Sequence, residues 1–380
     1  MNRLFEKSSI NGMQLANRFV RAATWEGLAT PEGAVTPRLV EMMVSLARGG
    51  VGLIISSHSY VSPEGQGTPW QLGVYKDELV PGLKEMTDAV HSNGGKMVLQ
   101  LAHAGLYAEE GLTGLPVLAV SAPDDGAGKN VTVLTREDIR RLTVCYAQAA
   151  QRAMDAGFDG VEIHAAHGYL LSQFLSPAFN RRQDEYGGTI ENRARVHLAI
   201  SYAVREVVGK DFPLLIKMNC YDFIENGMTG EDALHAARLF ADAGFDAIEV
   251  SGGIIRTGKL APSRPGINTV DKEAYFQDFA RRFKEEIDTP LILVGGLRSF
   301  EVADKIITDG IADYISMSRP LIREPGLIHR WEMGDLRKAE CKSDNLCFNP
   351  GFEGKGISCV TREIEENTAS GQQTTSSRFS

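Results

Sequence analysis

Cysteine is scarce in this sequence, basic charge is in deficit, and long apolar runs are missing. Five cysteines among 380 residues are too few, and odd in number, for a disulfide-stapled fold. No apolar run reaches the roughly 20 residues of a membrane-spanning helix, and the N-terminal sequence MNRLFEKSSINGMQL has no secretory leader. Acidic residues outnumber basic ones by 49 to 40, which disfavours nucleic acid and anionic membranes as partners. The sequence therefore predicts a cytoplasmic protein without a nucleic-acid or membrane partner.

Short apolar runs rich in β-branched residues recur along the chain. Hydrophobic residues make up 43% of the sequence and charged residues 23%, as in a globular protein with a large core. Each run is long enough for a strand and too short for a helix. The runs are almost continuously hydrophobic, which is typical of parallel strands covered on both faces. There are eight, at residues 18–24, 51–58, 96–103, 159–167, 214–220, 247–253, 291–296 and 313–319.

Helical stretches separate the eight runs. Two of them begin with Thr-x-x-Asp, at 135–138 and 229–232, which resembles a capping box with aspartate in place of glutamate. The sequence AGFDGVEIH at 156–164 returns as AGFDAIEVS at 243–251, so one unit is weakly repeated. Eight alternations of strand and helix favour an α/β fold, a single-domain (β/α)₈ TIM barrel with a C-terminal extension. An open, doubly wound sheet would fit the same alternation.

The composition divides the chain into three parts. We expect the barrel to span residues 1–335, followed by a cysteine-containing segment at 336–360 that packs on the barrel. Residues 361–380 are polar, with almost no apolar side chains, and are predicted to be a disordered tail. Within the barrel, residues 104–134 are rich in Gly, Pro and small side chains and are predicted to form a long loop, which often indicates function.

The strongest chemical signal follows the fourth apolar run. Active sites of barrels lie at the C-terminal ends of the strands, where this sequence places His164, His167 and Tyr169. The two imidazoles could donate hydrogen bonds to a substrate oxygen, with the phenol as a proton donor. They could instead tie down loops, and a metal role has less support because no third ligand stands nearby. We predict no metal site.

Other strand ends carry glycine, hydroxyl or positive charge. Gly295 and Gly296 follow the seventh run, and Ser318 and Arg319 follow the eighth, where barrels often bind phosphate. Lys217 lies near the end of the fifth run, and an inward-facing lysine is costly unless it is paired or functional. It would act as a Schiff-base lysine or as a fixed cation beside a developing anion, or it would simply reach to the rim.

Several longer stretches resemble the Old Yellow Enzyme family of FMN-dependent ene-reductases and NADH:flavin oxidoreductases. The most specific is the block HAAHGYLLSQFLSPAFNRRQDEYGG at 164–188. The others are LANRFVRAAT (15–24), LQLAHAG (99–105), LILVGG (291–296) and YISMSRPLIREP (314–325). The resemblance covers roughly residues 1–335, which is the whole predicted barrel.

This resemblance implies FMN bound tightly at the barrel mouth. Gln100 would contact the pyrimidine edge of the flavin, and Lys217 stands near flavin N1, where the family usually has arginine. A cation there would stabilise the anionic reduced flavin, although lysine lacks the bidentate fork of arginine. The other implied contacts are with the flavin ring, at Ala22, Ala23 and Thr24, and with the phosphate, at Gly295, Gly296, Ser318 and Arg319.

The implied function is transfer of hydride from NAD(P)H, through flavin N5, to the C=C bond of an α,β-unsaturated carbonyl in ping-pong order. His164 and His167 would hold the carbonyl oxygen of this small-molecule substrate, and Tyr169 would give the proton. The sequence is compatible with a homo-oligomer. A flavin-free lyase or aldolase using Lys217 is one alternative, and a flavoprotein without turnover is another.

The chain departs from the family pattern at two places. Trp25 stands where relatives often have cysteine or threonine, so we expect it to shape the substrate site. Beyond the barrel, Cys341, Cys347 and Cys359 resemble cysteines that hold an iron–sulfur cluster in the dienoyl-CoA reductase branch, but Asp344 stands near the fourth position. Such clusters usually require four thiolates, so the sequence argues against one. A 2,4-dienoyl-CoA reductase-like enzyme is a further alternative.

Overall fold

The central feature of the fold is a closed barrel of parallel strands. The computed structural model describes residues 2–123, 130–255 and 257–369. Its strands are β1 (Ser8–Ile10), β2 (Met13–Leu15), β3 (Phe19–Arg21), β4 (Leu53–Tyr60), β5 (Met97–Ala102), β6 (Val117–Ala119), β7 (Val131–Val133), β8 (Gly160–Ala165), β9 (Leu214–Asn219), β10 (Ala247–Ser251), β11 (Leu291–Leu293) and β12 (Tyr314–Met317). The barrel order is β3-β4-β5-β8-β9-β10-β11-β12, and β12 pairs with β3 to close it. Each barrel strand overlaps one of the eight predicted runs, which confirms the (β/α)₈ prediction.

Helices connect the strands and cover the outside of the barrel. They are α1 (Pro37–Arg48), α2 (Val80–Ser92), α3 (Glu110–Thr113), α4 (Arg136–Asp155), α5 (Leu170–Leu175), α6 (Ile190–Val208), α7 (Gly230–Asp242), α8 (Gln277–Lys284), α9 (Phe300–Thr308), α10 (Arg319–Arg323), α11 (Leu327–Glu332), α12 (Asn349–Phe352) and α13 (Val360–Ala369). The capping box predicted before α4 is complete, because Thr135 and Asp138 each bond the other's backbone N–H. Before α7, the Thr229 hydroxyl accepts from the backbone N–H of Asp232 at 3.2 Å.

The barrel interior is apolar near the N-terminal ends of the strands, and it is closed at that end. Side chains alternate in direction along a strand, so every second residue points inward. The antiparallel hairpin β1–β2 lies across the N-terminal end of the barrel. Its side chains form one buried cluster with the inward residues of the strands: Ile10, Met13, Leu15, Val20, Leu53, Ile55, Val98, Leu215, Ala247, Ile292 and Tyr314. We call this cluster the apolar plug.

The apolar plug supplies a stability prediction. Leu15 is 2% exposed within it, whereas Leu112 on α3 is 43% exposed. Leu15→Ala is expected to lower the free energy of unfolding by about 2–5 kcal/mol, because it removes buried methyl groups and leaves a cavity. Urea denaturation measures this loss, with Leu112→Ala as the control. Equal losses in the two variants would show that the hairpin does not seal the barrel.

Polar side chains replace apolar ones in the next layer towards the mouth. Two residues beyond Val98 and Leu215 on their strands stand Gln100 and Lys217. The other members of this layer are Glu162 on β8, Glu249 on β10 and Ser316 on β12. All five are buried, with at most 3% of the side chain exposed. We call this layer the polar floor, because it separates the apolar plug from the mouth of the barrel.

The long loop predicted at 104–134 contains regular structure. It holds α3 and a small parallel sheet in which β6 pairs with β7. Ala104, Ala108 and Val117 pack together beneath it. The segment is therefore a long loop that short elements interrupt, and the composition did not indicate these elements. Residues 124–129 lie outside the described residues.

The disordered tail predicted from residue 361 is also partly wrong, because Val360–Ala369 forms α13. Polar contacts rather than apolar burial hold this helix. The Thr361 hydroxyl donates to Asp344 at 2.5 Å, and Glu365 pairs with the buried Arg323 at 2.5 Å. Residues 370–380 of that prediction lie outside the described residues. Among the described helices, none is both long and apolar enough to cross a membrane.

Candidate active site

A cavity of about 400 Å³ opens at the C-terminal ends of the barrel strands, within the size range of small-molecule sites. Nearly all residues singled out from the sequence line it: Ala22, Ala23, Thr24, Trp25, Gln100, His164, His167, Tyr169, Lys217, Gly296, Ser318 and Arg319. Gly295 does not line it. The lining includes the cations of Lys217, Arg298 and Arg319 and, within the described residues, no aspartate or glutamate. Its charge therefore suits an anionic ligand.

The predicted His and Tyr residues form one aromatic cluster on the cavity wall. The ring centroids of His164 and Tyr169 are 4.9 Å apart, and those of His164 and His167 are 5.2 Å apart. His167 has a left-handed backbone, φ +65°, and its Nε2 bonds the Ser251 hydroxyl at 2.7 Å. His164 Nδ1 is buried and has no hydrogen-bond partner within the described part of the chain. Such an orphaned polar atom on a cavity wall is costly unless a ligand supplies the partner.

Burial sets the protonation of this cluster. It lowers the pKa of His164 and His167 well below the usual value, with nearby positive charge, including that of Lys217, acting in the same direction. Burial also raises the pKa of the Tyr169 hydroxyl. Near neutral pH the cluster therefore presents uncharged imidazoles, able to donate hydrogen bonds, and a phenol that keeps its proton.

His58 joins the cluster and was not among the predicted site residues. A β-bulge between Ile55 and His58 shifts the register of β4 against β5, and such bulges redirect side chains. His58 Nε2 lies 3.2 Å from the Tyr169 hydroxyl oxygen. Burial, aided by the charge of Lys217, lowers the pKa of His58 to about 4. An imidazole at the end of a predicted strand was the available signal, but the bulge that aims it is a property of the sheet.

The polar floor forms a hydrogen-bonded network below the cavity. Gln100 Nε2 donates to Glu162 at 2.6 Å, Lys217 Nζ pairs with Glu249 at 3.0 Å, and Ser316 donates to Glu249 at 2.7 Å. Glu162 and Glu249 were not predicted as site residues. The signal was the internal repeat, in which each is the only charged residue inside its apolar strand, β8 or β10.

The residues predicted to bind phosphate follow β11 and β12, and one of them, Ser318, lies beside Thr24, which was predicted to contact the flavin ring. The Thr24 and Ser318 hydroxyl oxygens are 2.7 Å apart, and Arg319 donates to Asn345 at 2.7 Å. Gly296 has φ +73°, and a Cβ there would come within 2.7 Å of the Tyr275 ring. Only glycine therefore fits at that position.

The sequence comparison agrees with this architecture. The model of the NADH:flavin oxidoreductase / NADH oxidase family matches residues 3–337. The chain belongs to this family. The match confirms the resemblance to the Old Yellow Enzyme family, and the family binds FMN and uses NAD(P)H.

Individual family members align over most of the chain. It is 37% identical over 371 residues to the NADH oxidase of Thermoanaerobacter brockii, which covers 95% of this chain and 56% of that protein. It is 35% identical over 325 residues to the NADPH dehydrogenase of Bacillus subtilis strain 168, covering 85% and 92%. An old yellow enzyme homologue from Zymomonas mobilis superimposes with a TM-score of 0.76 at 29% identity, covering 90% and 95%. The chain spans about half the length of the Thermoanaerobacter relative.

The C-terminal segment of this family member completes the cavity. Ser343, Asn345 and Phe348 line it, which the sequence did not indicate. Trp25, at the mouth, packs on Phe352 with ring centroids 4.6 Å apart. Since its indole N–H also donates to Pro69 at 3.1 Å, Trp25 joins the barrel to this segment.

The cysteines of this segment are either buried or hydrogen-bonded. Cys341 and Cys347 are buried and all five cysteines are free thiols. Cys359 accepts a hydrogen bond from Arg323 at 3.6 Å, and Asp344 accepts from Thr361. Within the described chain, no group of three or more His, Cys, Asp or Glu residues is arranged to hold a metal ion.

Proposed function

We propose that this protein is an FMN-dependent oxidoreductase that moves hydride from NAD(P)H to the C=C bond of an α,β-unsaturated carbonyl compound. The observation that carries the proposal is His164 Nδ1, a buried ring nitrogen on the cavity wall to which no described residue gives a hydrogen bond. It lies beside Tyr169, whose hydroxyl keeps its proton near neutral pH. A substrate oxygen would give this nitrogen its missing partner.

The residues of the cavity fit FMN. Gln100 offers an amide to a heterocycle edge and Lys217 a fixed cation, while Ser318 and Arg319 offer hydroxyl and guanidinium donors to a phosphate. FMN would supply the hydride chemistry, which no side chain can perform. The protein would bind and orient the ring, and the polar floor would shield it from water below.

The imidazoles would act on the substrate carbonyl. Negative charge develops on that oxygen when hydride reaches the β-carbon, so hydrogen bonds to it strengthen in the transition state. His167 is fixed by Ser251, and its backbone N–H donates to Asn219 at 3.1 Å. This anchoring holds its ring in place before the substrate arrives, which is the preorganisation that such stabilisation requires.

Tyr169 would give the proton to the α-carbon, and His58 would orient its hydroxyl. The hydroxyl oxygen has His58 Nε2 at 3.2 Å, and burial keeps that imidazole uncharged near neutral pH. A single hydrogen bond fixes the direction of a phenol O–H, which otherwise rotates about its C–O bond. We therefore assign His58 the role of a positioning residue.

Lys217 argues against the flavin-free lyase alternative. A Schiff-base lysine needs a neutral amine, whereas Lys217 is ion-paired with Glu249 at 3.0 Å.

The proposed function is tested by the absorption spectrum of the purified, untagged protein under anaerobic conditions, with the released chromophore identified. Stoichiometric FMN that NAD(P)H reduces and 2-cyclohexenone reoxidises supports the proposal. A colourless protein that cannot be reconstituted with FMN overturns it.

His58 yields a separate prediction. His58→Phe is expected to slow reoxidation by 2-cyclohexenone about tenfold, because a net hydrogen bond is worth about 0.5–1.5 kcal/mol. His58→Gln, which keeps a polar group near the same place, is expected to restore part of the rate. The solvent deuterium isotope effect on reoxidation is expected to rise in His58→Phe, since proton transfer becomes slower. The control is His103→Phe, a buried imidazole that does not line the cavity; an equal loss there would make His58 merely structural.

A further inference from the structure

Two buried glutamates face one lysine in the polar floor. Glu162 lies on β8 and Glu249 on β10, and β9, which carries Lys217, pairs with both strands. Lys217 stands directly beside Glu249 in the register. Both carboxyl groups are fully buried, and Lys217 is 3% exposed. None of these groups can therefore rely on water to solvate its charge.

The charges in this layer do not balance if both acids are ionised. Among the described residues, three side chains act on Glu162, namely Glu249, Gln100 and Lys217, and Lys217 is the one cation of the three. The imidazoles on which the charge of Lys217 acts are His58, His164 and His167, and burial lowers the pKa of each, so they add no charge near neutral pH. An unpaired carboxylate in a dry interior is strongly unfavourable and takes up a proton instead.

The hydrogen bonds of Glu162 and Glu249 show where such a proton could lie. Gln100 donates a hydrogen bond to one oxygen of Glu162. Ser316 donates one to an oxygen of Glu249. Of the second oxygens, Glu249 Oε2 lies 3.0 Å from Lys217 Nζ, whereas Glu162 Oε1 is buried with no hydrogen-bond partner among the described residues. Burial first, and then the neighbouring charge of Glu249, raises the pKa of Glu162 well above its usual range.

We propose that Glu162 and Glu249 share one proton and one negative charge, and that this pair is the counter-ion that positions the Lys217 ammonium at the cofactor site. Both carboxyl groups belong to the polar floor, and Lys217 Nζ lies 3.0 Å from Glu249 Oε2. The net charge of the polar floor is then zero. Its role towards the cofactor rests on the proposed function, whereas the shared proton does not.

The shared proton has an unusual consequence for substitution. In E162Q, the remaining Glu249 pairs with Lys217 as a carboxylate. In E249Q, Glu162 is the acid left facing Lys217, and it ionises because its competitor is gone. Removing either acid therefore removes the proton, and each single variant keeps a net charge of zero.

Infrared spectroscopy of the holoprotein near neutral pH tests this directly. The C=O stretch of a protonated carboxylic acid is expected in the wild-type minus E162Q difference spectrum and equally in wild type minus E249Q. Other buried acids, such as Glu26 and Asp222, cancel in these differences. S316A removes a hydrogen bond to Glu249 but keeps both acids, so it is expected to retain the band. A band that persists in E249Q, or one absent from the wild type, overturns the proposal.

The potential of the bound FMN tests the positioning role. E162Q and E249Q are each expected to change the equilibrium constant for FMN reduction less than threefold, because the net charge is unchanged. Lys217→Met is expected to lower it at least tenfold, about 30 mV for a two-electron couple. A tenfold shift in either glutamine variant would overturn the positioning role. If the protein binds no FMN, the proposed function fails, and the infrared result still decides the carboxyl pair.

Discussion

Tyr169→Phe is expected to leave reduction of the bound FMN by NAD(P)H unchanged and to slow its reoxidation by 2-cyclohexenone about 10²–10⁴-fold, the usual contribution of a general acid. The reason is the position and protonation of the hydroxyl. It lines the cavity beside His164, and burial raises its pKa, so it holds a proton near neutral pH. Phenylalanine keeps the ring and the packing but has no proton to give. Anaerobic stopped-flow spectroscopy of the flavin absorbance measures both half-reactions separately.

Tyr146→Phe is the matched control for this variant. Tyr146 is fully buried in α4 and does not line the cavity, and its hydroxyl has no hydrogen-bond partner among the residues that the structure describes. Its removal is expected to change neither half-reaction. If Tyr169→Phe slows the two half-reactions equally, Tyr169 serves cofactor binding or the fold, and its assignment as proton donor is wrong.

His164→Ala is expected to lower the limiting rate of reoxidation by an enone about 10²–10³-fold, the loss found when one donor to a developing oxyanion is removed. The apparent dissociation constant of the enone should rise much less, because the hydrogen bond strengthens only as charge develops. The rate of FMN reduction should stay near that of the wild type. A titration of enone concentration in the reoxidation experiment separates the limiting rate from the binding constant.

His91→Ala is the control for His164→Ala. His91 lies on α2, where its ring pairs with Asp159 at 2.8 Å, and it does not line the cavity. Both half-reactions should be unaffected by its removal. Should His164→Ala weaken enone binding as strongly as it slows the limiting rate, the imidazole binds substrate uniformly and does not favour the transition state.

The sequence was sufficient for the barrel and for most of the cavity wall. Parallel strands bring their C-terminal ends to one mouth, so residues such as Gln100, His164 and Lys217 can be placed together without knowing any contact between them. The 164–188 block also identified the family. These features are local, or follow from the topology alone.

Other features depend on contacts between distant parts of the chain. The direction of His58 depends on a bulge in the pairing of β4 with β5. Glu162 was not predicted as a site residue, because the role of a buried carboxyl group depends on a nearby cation. That cation, Lys217, lies on another strand. The order of residues 361–369 was missed because Arg323 and Asp344, rather than an apolar face, hold α13.

The apolar plug determines the route by which small molecules enter and leave the cavity. Because the hairpin β1–β2 closes the N-terminal end of the barrel, whatever binds in the cavity enters and leaves through the same opening. Under the proposed function, the oxidised nicotinamide has to leave through this opening before an alkene can approach the flavin. The two molecules therefore occupy the cavity one after the other. Each of the two small molecules, in excess, should then obstruct the other, so turnover should pass through a maximum as either concentration rises.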